Sequence, residues 1–104
     1  MPYEIILAPE AADDFRCLTA NVRAQVRDAL ECHLRIEPTK TSKSRIKRLR
    51  GLSRPQYRLR VGDDVRVFYD ATEDTVEVLA IVPKSEANQW LERFGESDEE
   101  SGSD

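Results

Sequence analysis

Hydrophobic positions follow two different periods along this 104-residue chain. Tyr3 to Ala8, YEIILA, is a short isoleucine-rich run that predicts a first strand. Pro9 suits the first turn of a helix, and Ala11, Ala12, Phe15 and Leu18 then recur at helical spacing. Thr19–Ala20–Asn21 reads as a break, with Asn21 as the next N-cap. Val22, Val26, Ala29, Leu30 and His33 share one face of a second helix that ends before Pro38. The two helices predict a hairpin. A polar loop follows at Thr39–Ser44, and Arg45–Leu49 fits either a short strand or an extended connection. From Tyr57 the period becomes two, with Tyr57, Leu59 and Val61 alternating with Arg58 and Arg60. Val65–Tyr69 is an apolar strand interrupted by Arg66, residues 70–75 form a turn, and Val76–Val82 is the most hydrophobic run, a central strand. Lys84–Phe94 closes the pattern as a short helix with Ala87, Trp90, Leu91 and Phe94 on its apolar side.

The order β-α-α-β-β-β-α predicts an α+β domain over residues 1–94. It has an N-terminal strand, a helical hairpin, a three-stranded antiparallel segment and a short C-terminal helix. Short turns make the later strands antiparallel. The helical hairpin must cover one face of the sheet to bury its apolar stripe, which leaves the opposite face partly open. Residues 95–104 are too polar to pack and predict a disordered acidic tail.

Charge sharpens this picture. The net charge is −4, but Glu96, Asp98, Glu99, Glu100 and Asp104 all lie in the tail, and without these five the chain carries +1. From Lys40 to Arg60 there are nine basic residues and no acidic one, so the domain has a basic stripe that the overall charge conceals. If Gly62–Asp63–Asp64 is a three-residue loop, Val61 pairs with Val65 and Arg60 lies opposite Arg66. Tyr57, Leu59 and Val61 then face the helices, and Arg58, Arg60, Arg66 and Phe68 share the open face. A slip of one residue would move Arg66 to the other face. Like charges placed directly opposite cost stability. Two readings follow. Each arginine pairs with a nearby carboxylate, Glu77 or the Asp63–Asp64 turn, or the face binds phosphates, for which the planar guanidinium fork is suited. Phe68 and Trp90 are the aromatic candidates for stacking a base.

Other chemistry is thin. Cys17 and Cys32 have no metal-ligand spacing and read as small buried thiols. The single histidine, His33, reads as a structural residue, and no metal or cofactor is expected. No apolar run approaches the roughly 20 residues of a membrane span. The N-terminus lacks the basic region of a signal peptide, so a cytoplasmic location is expected.

The stretch LRGLSRPQYRLRVGDDVRVFYD, followed by VEVLAIV and a short helix, resembles the RelE/ParE superfamily of bacterial type II toxins. The likeness runs over roughly Tyr3 to Phe94. It implies a small toxin neutralised by a cognate antitoxin in a hetero-oligomer. RelE-like members cut mRNA in the ribosomal A site, whereas ParE-like members inhibit DNA gyrase. The resemblance puts the RelE-like catalytic positions at Arg58, Arg60, Arg66 and Lys84, with Trp90 at the position of a tyrosine. Lys84 replaces an arginine and loses the bidentate fork. Trp90 loses a phenol but keeps a ring. The hairpin loop is one residue longer than the usual form. Lys43, Arg45, Lys47, Arg48, Arg50 and Arg54 read as backbone-contacting residues for structured RNA or an acidic antitoxin segment. The expectation is a ribosome-dependent mRNA endoribonuclease. The alternatives are a gyrase inhibitor and a non-catalytic RNA- or partner-binding module.

Overall fold

The computed structural model describes residues 2–97. Strand β1 (Glu4–Leu7) leads into helix α1 (Pro9–Arg16), with Pro9 in the first turn, where its missing N–H costs nothing. Helix α2 (Ala20–Ala29) is capped by Thr19, whose hydroxyl accepts from the Val22 N–H at 3.4 Å. The cap is therefore two residues earlier than Asn21, which lies inside the helix. A single π-helical turn, Leu30–Leu34, prolongs α2. The ambiguous segment becomes β2 (Ile46–Arg48), followed by β3 (Leu52–Arg54), β4 (Tyr57–Val61), β5 (Val65–Ala71), β6 (Thr75–Pro83), α3 (Lys84–Phe94) and β7 (Glu96–Ser97).

The main sheet has the order β1-β6-β5-β4-β2. β1 runs parallel to β6, and the other neighbours are antiparallel. The β4–β5 register is the expected one: Val61 faces Val65, Arg60 faces Arg66 and Leu59 faces Val67. Gly62 adopts φ +60 in the connecting turn, a conformation that favours glycine.

One face of the sheet packs under α1, α2 and the π turn. Leu59, Val61, Val67, Tyr69, Val76, Val78 and Ile81 meet Ala11, Val26, Leu30 and Leu34 there. Beyond the end of β1, the Asp14 carboxylate of α1 accepts the Ile81 N–H at 3.1 Å. The opposite face is more covered than the sequence suggests. Helix α3 folds back on it, so that Phe68, Ala80, Val82 and Ala87 form a second apolar cluster with Leu49, Trp90 and Leu91 around it.

Two expectations are corrected. Cys17 and Cys32 are exposed rather than buried. The repeat Val26, Leu30, Leu34 fixes which side of the helix faces the core, and Cys32 lies off that side. Residues 95–97, expected to belong to a disordered tail, are held against the domain. Gly95 bonds back to the Leu91 carbonyl (2.8 Å), and Glu96–Ser97 form β7 against β3, pairing Leu52 with Ser97 and Arg54 with Glu96. The remainder of the expected tail, residues 98–104, lies outside the described residues.

Candidate functional site

Cross-strand pairing arranges the basic side chains in rows. Lys47 of β2 faces Arg58 of β4, which faces Phe68 of β5. One row further along, Arg60 faces Arg66, which faces Val82 of β6. Period-two geometry puts these residues on the face opposite the helical hairpin. Pro83 faces Val65 at the end of β6, so Lys84 begins α3 beside the β4–β5 turn, and its N–H donates to the Asp64 carbonyl at 2.6 Å. A cation at a helix N-terminus sits at the positive end of the dipole. Its position is therefore explained by the neighbouring turn and not by helix stability.

Arg66 is 6% exposed, and no carboxylate pairs with it among the described residues. Its Nη1 donates only to backbone carbonyls, Val65 at 3.0 Å and Asp63 at 3.3 Å. Burial, together with the like charges of Arg58 and Arg60, lowers its pKa from the ordinary arginine value, opposed by Asp63 and Asp64. Arginine nevertheless stays protonated at neutral pH. Arg60 is tied to the turn: Nε donates to the Gly62 carbonyl (3.1 Å) and Nη2 to the Asp63 carboxylate (2.7 Å). The Arg58 Nε is buried without a hydrogen-bond partner. A buried donor left unpaired costs roughly 1–3 kcal/mol. The site thus holds three guanidinium groups whose donors are met by backbone and one surface carboxylate, or not met at all.

The other basic candidates separate from this cluster. Arg54 binds a carboxylate pair, Asp70 at 3.7 Å and Glu77 at 3.4 Å, and these two face each other on β5 and β6. Burial raises the Asp70 pKa, with Glu77 and Glu96 acting in the same direction, while the Gln56 N–H and Arg54 oppose it. Arg48 lies over the Tyr57 ring at 5.3 Å and donates to the Gln56 carbonyl at 2.9 Å. Arg50 is exposed in the β2–β3 turn.

The aromatic candidates form one stack. Phe68 is fully buried, and Trp90 lies on it at 5.0 Å with the planes 7° apart. Phe68 is therefore a floor for Trp90 and does not present its own ring to a base, a correction to the expectation from strand alternation. Trp90 is half-buried and reaches the surface beside Phe94.

No group of three or more His, Cys, Asp or Glu residues suited to a metal ion occurs among the described residues. No helix among them is long and apolar enough to cross a membrane.

The fold is one shared with small toxins of toxin–antitoxin pairs. A sequence model described as "ParE toxin of type II toxin-antitoxin system, parDE" matches residues 5–88. The chain belongs to this toxin family of the RelE/ParE superfamily. The fold is similar to RelE in the RelE–RelB complex of Pyrococcus horikoshii, with a TM-score of 0.65, 22% identity, and coverage of 81% of this chain and 97% of that one. It is similar to the RelBE2 toxin–antitoxin complex of Mycobacterium tuberculosis, with a TM-score of 0.62, 23% identity, and coverage of 81% and 100%. It also matches a YoeB/ParE toxin from Agrobacterium tumefaciens, with a TM-score of 0.57, 13% identity, and coverage of 77% and 96%. No curated protein sequence matches the chain.

Proposed function

We propose that this toxin is an mRNA endoribonuclease that acts on translating ribosomes and is held inactive by a cognate antitoxin. The observation that carries the reading is the Arg58–Arg60–Arg66 cluster, in which a nearly buried arginine faces a second one across the strands. Like charges placed directly opposite cost stability, and a bound phosphate would offset that cost.

Cleavage requires the 2′-hydroxyl to lose its proton and attack phosphorus, the phosphorane charge to be neutralised, and the departing 5′-oxygen to be stabilised. Arg60 and Arg66 would grip the scissile phosphate, with the guanidinium forks matched to its oxygens. Arg58, with its unpaired Nε, would take a further oxygen. Lys84, at the rim, would hold an adjacent phosphate. Fixed cations at the developing charge stabilise the transition state without reorganisation. Arginine is a poor general base, and the cluster contains no obvious general acid. The chain's own contribution is therefore positioning and charge stabilisation. Lys47, on the row of Arg58, extends the basic surface toward flanking phosphates.

The test is primer extension on an mRNA translated in a purified system. New 5′ ends inside codons that disappear with Arg66→Ala are the expected result. Wild-type cleavage by Arg66→Ala would move the site elsewhere. A second reading, gyrase inhibition as in ParE-like members, is favoured by the family match itself. It is the reading to adopt if folded protein leaves the mRNA intact and blocks gyrase supercoiling.

A further inference from the structure

The arginine row does not stop at β4. The Arg60 N–H donates to the Arg45 carbonyl at 2.8 Å, which sets Arg45 beside Arg60 at the start of β2, the outer strand of the sheet. Two surface cavities meet at Arg45. One, of about 280 Å³, is lined by Ser44, Arg45, Arg60, Gly62 and Asp63. The other, of about 250 Å³, lies under the π turn and includes Cys32, His33, Lys40, Ser42, Arg45 and Ile46 in its walls. We propose that Arg45 carries the substrate strand over the edge of β2, so that RNA flanking the reacting phosphate lies along a track from Arg60 through Arg45 into the cavity beside His33. This rests on the RNA-cleaving reading above.

Four observations support the track. First, the Arg45 guanidinium has no hydrogen bond or ion pair among the described residues, so its charge is available to a phosphate. Second, its backbone is fixed, because the Ser42 hydroxyl accepts the Arg45 N–H at 3.0 Å and the Ser42 N–H donates to the Ile46 carbonyl at 2.9 Å. Third, the two carboxylates along the track are already engaged: Asp63 with Arg60 at 2.7 Å and Glu37 with Lys40 at 3.8 Å. Fourth, the far cavity has the mixed chemistry that a nucleoside needs. Ile36 and Ile46 offer apolar contact, Thr41 and Ser42 offer hydroxyls, and His33 offers a ring nitrogen. Burial and the Arg45 charge both lower the His33 pKa, which favours a neutral imidazole able to donate and accept. Phosphate contacts give register and affinity, whereas a side cavity of this kind contacts one sugar or base.

The full chain supplies its own reporters. Cys32 lines the far cavity, and Cys17, also exposed, lies outside it at the end of α1. A labelled single-stranded RNA decamer, titrated by fluorescence anisotropy between 50 and 200 mM salt, gives affinity and salt slope. Arg45→Ala should weaken binding about five-fold and reduce the magnitude of the log–log salt slope by about 0.7, the loss of one single-strand phosphate contact. Arg45→Lys should recover part of the affinity, and Arg27→Ala, on the exposed side of α2, should change neither quantity. Saturating RNA should slow alkylation of Cys32 several-fold and leave Cys17 unchanged. Absence of RNA binding by the wild type, an unchanged slope with Arg45→Ala, or equal protection of both thiols would overturn the track. The cleavage assay separates the two proposals. Arg45-dependent binding without any cleavage removes the catalytic reading and keeps the track. Cleavage with the same concentration dependence in Arg45→Ala removes the track and keeps the catalytic reading.

Discussion

Replacing Tyr69 by Phe removes one oxygen from the centre of the molecule. The Tyr69 hydroxyl donates to the Pro38 carbonyl at 2.5 Å, and both side chains are fully buried. Burial raises the phenol pKa, so the hydroxyl remains a donor at any ordinary pH. The ring stays in Tyr69→Phe, as does its stack on Tyr57 at 5.5 Å, so no apolar burial is lost. What remains is a buried carbonyl without its donor, a cost of about 1–3 kcal/mol. A urea m-value on the order of 1–1.5 kcal/mol/M suits a domain this small, and the midpoint should then fall by roughly 0.7–3 M with m unchanged. The assay is equilibrium urea unfolding followed by Trp90 fluorescence and by circular dichroism, with coincident curves required. Tyr57→Phe is the control, because the Tyr57 hydroxyl has no hydrogen bond among the described residues, and its midpoint should move little. A Tyr69→Phe midpoint equal to the wild type, or no lower than that of Tyr57→Phe, would show that the Pro38 carbonyl finds another donor and would refute the argument. The bond matters beyond stability because it ties the chain at Pro38, just ahead of the loop that carries Lys40, Ser42 and Arg45, to the middle strand of the sheet.

Three further outcomes follow from the site. Arg66→Met should abolish cleavage while leaving the thermal midpoint unchanged or raised by several degrees, since an apolar replacement of a buried cation is commonly neutral or stabilising; a clear drop in midpoint would show that Arg66 is held for stability. Asp63→Asn should free Arg60 and tighten RNA binding by at most about five-fold, the ceiling for an exposed ion pair worth up to ~1 kcal/mol. Asp64→Asn, whose carboxylate makes no ion pair among the described residues, should do less, and equal effects would point to net charge alone. Asp70→Asn tests a pH dependence. Because the folded state raises the Asp70 pKa, it holds the proton more readily than the unfolded chain, so this group favours folding below its ordinary pKa and loses that contribution as pH rises through the folded value. Relative to wild type, Asp70→Asn should therefore gain stability as pH rises across that window, measured by denaturant unfolding at several pH values; a flat or falling difference would contradict the assignment.

The β4–β5 hairpin was legible because alternation and a three-residue turn leave one register that buries Leu59 and Val67 together. The helical hairpin was legible from its spacing. Residue type suggests buried cysteines, but the helical phase of Val26, Leu30 and Leu34 places Cys32 off the core side. β3 and β7, of three and two residues, are too short to show a period. Their pairing also determines where Arg54 goes, so its capture by Asp70 and Glu77 was hidden, although Glu77 could be foreseen as an arginine partner. The burial of Phe68 depends on α3 folding back over the sheet, a tertiary event with no local signature. Arg45 sat in a segment with two open readings, and only its pairing with Arg60 reveals it as the end of the row.

The parallel pairing of β1 with β6 sets an order of events during synthesis. Ile5 is made near the start of the chain, and its partner Val76 only 71 residues later. Until then β1 has no neighbour, and α1, which leans on β6 through Asp14 and Ile81, has no floor. Arg58, Arg60 and Arg66 are translated before β6, so their strands emerge ahead of the strand that completes the sheet beneath the helices. A ribosome making this toxin therefore carries a chain that cannot yet close the core beneath its helices, and only the arrival of β6 gives β1 and α1 the strand they pack on.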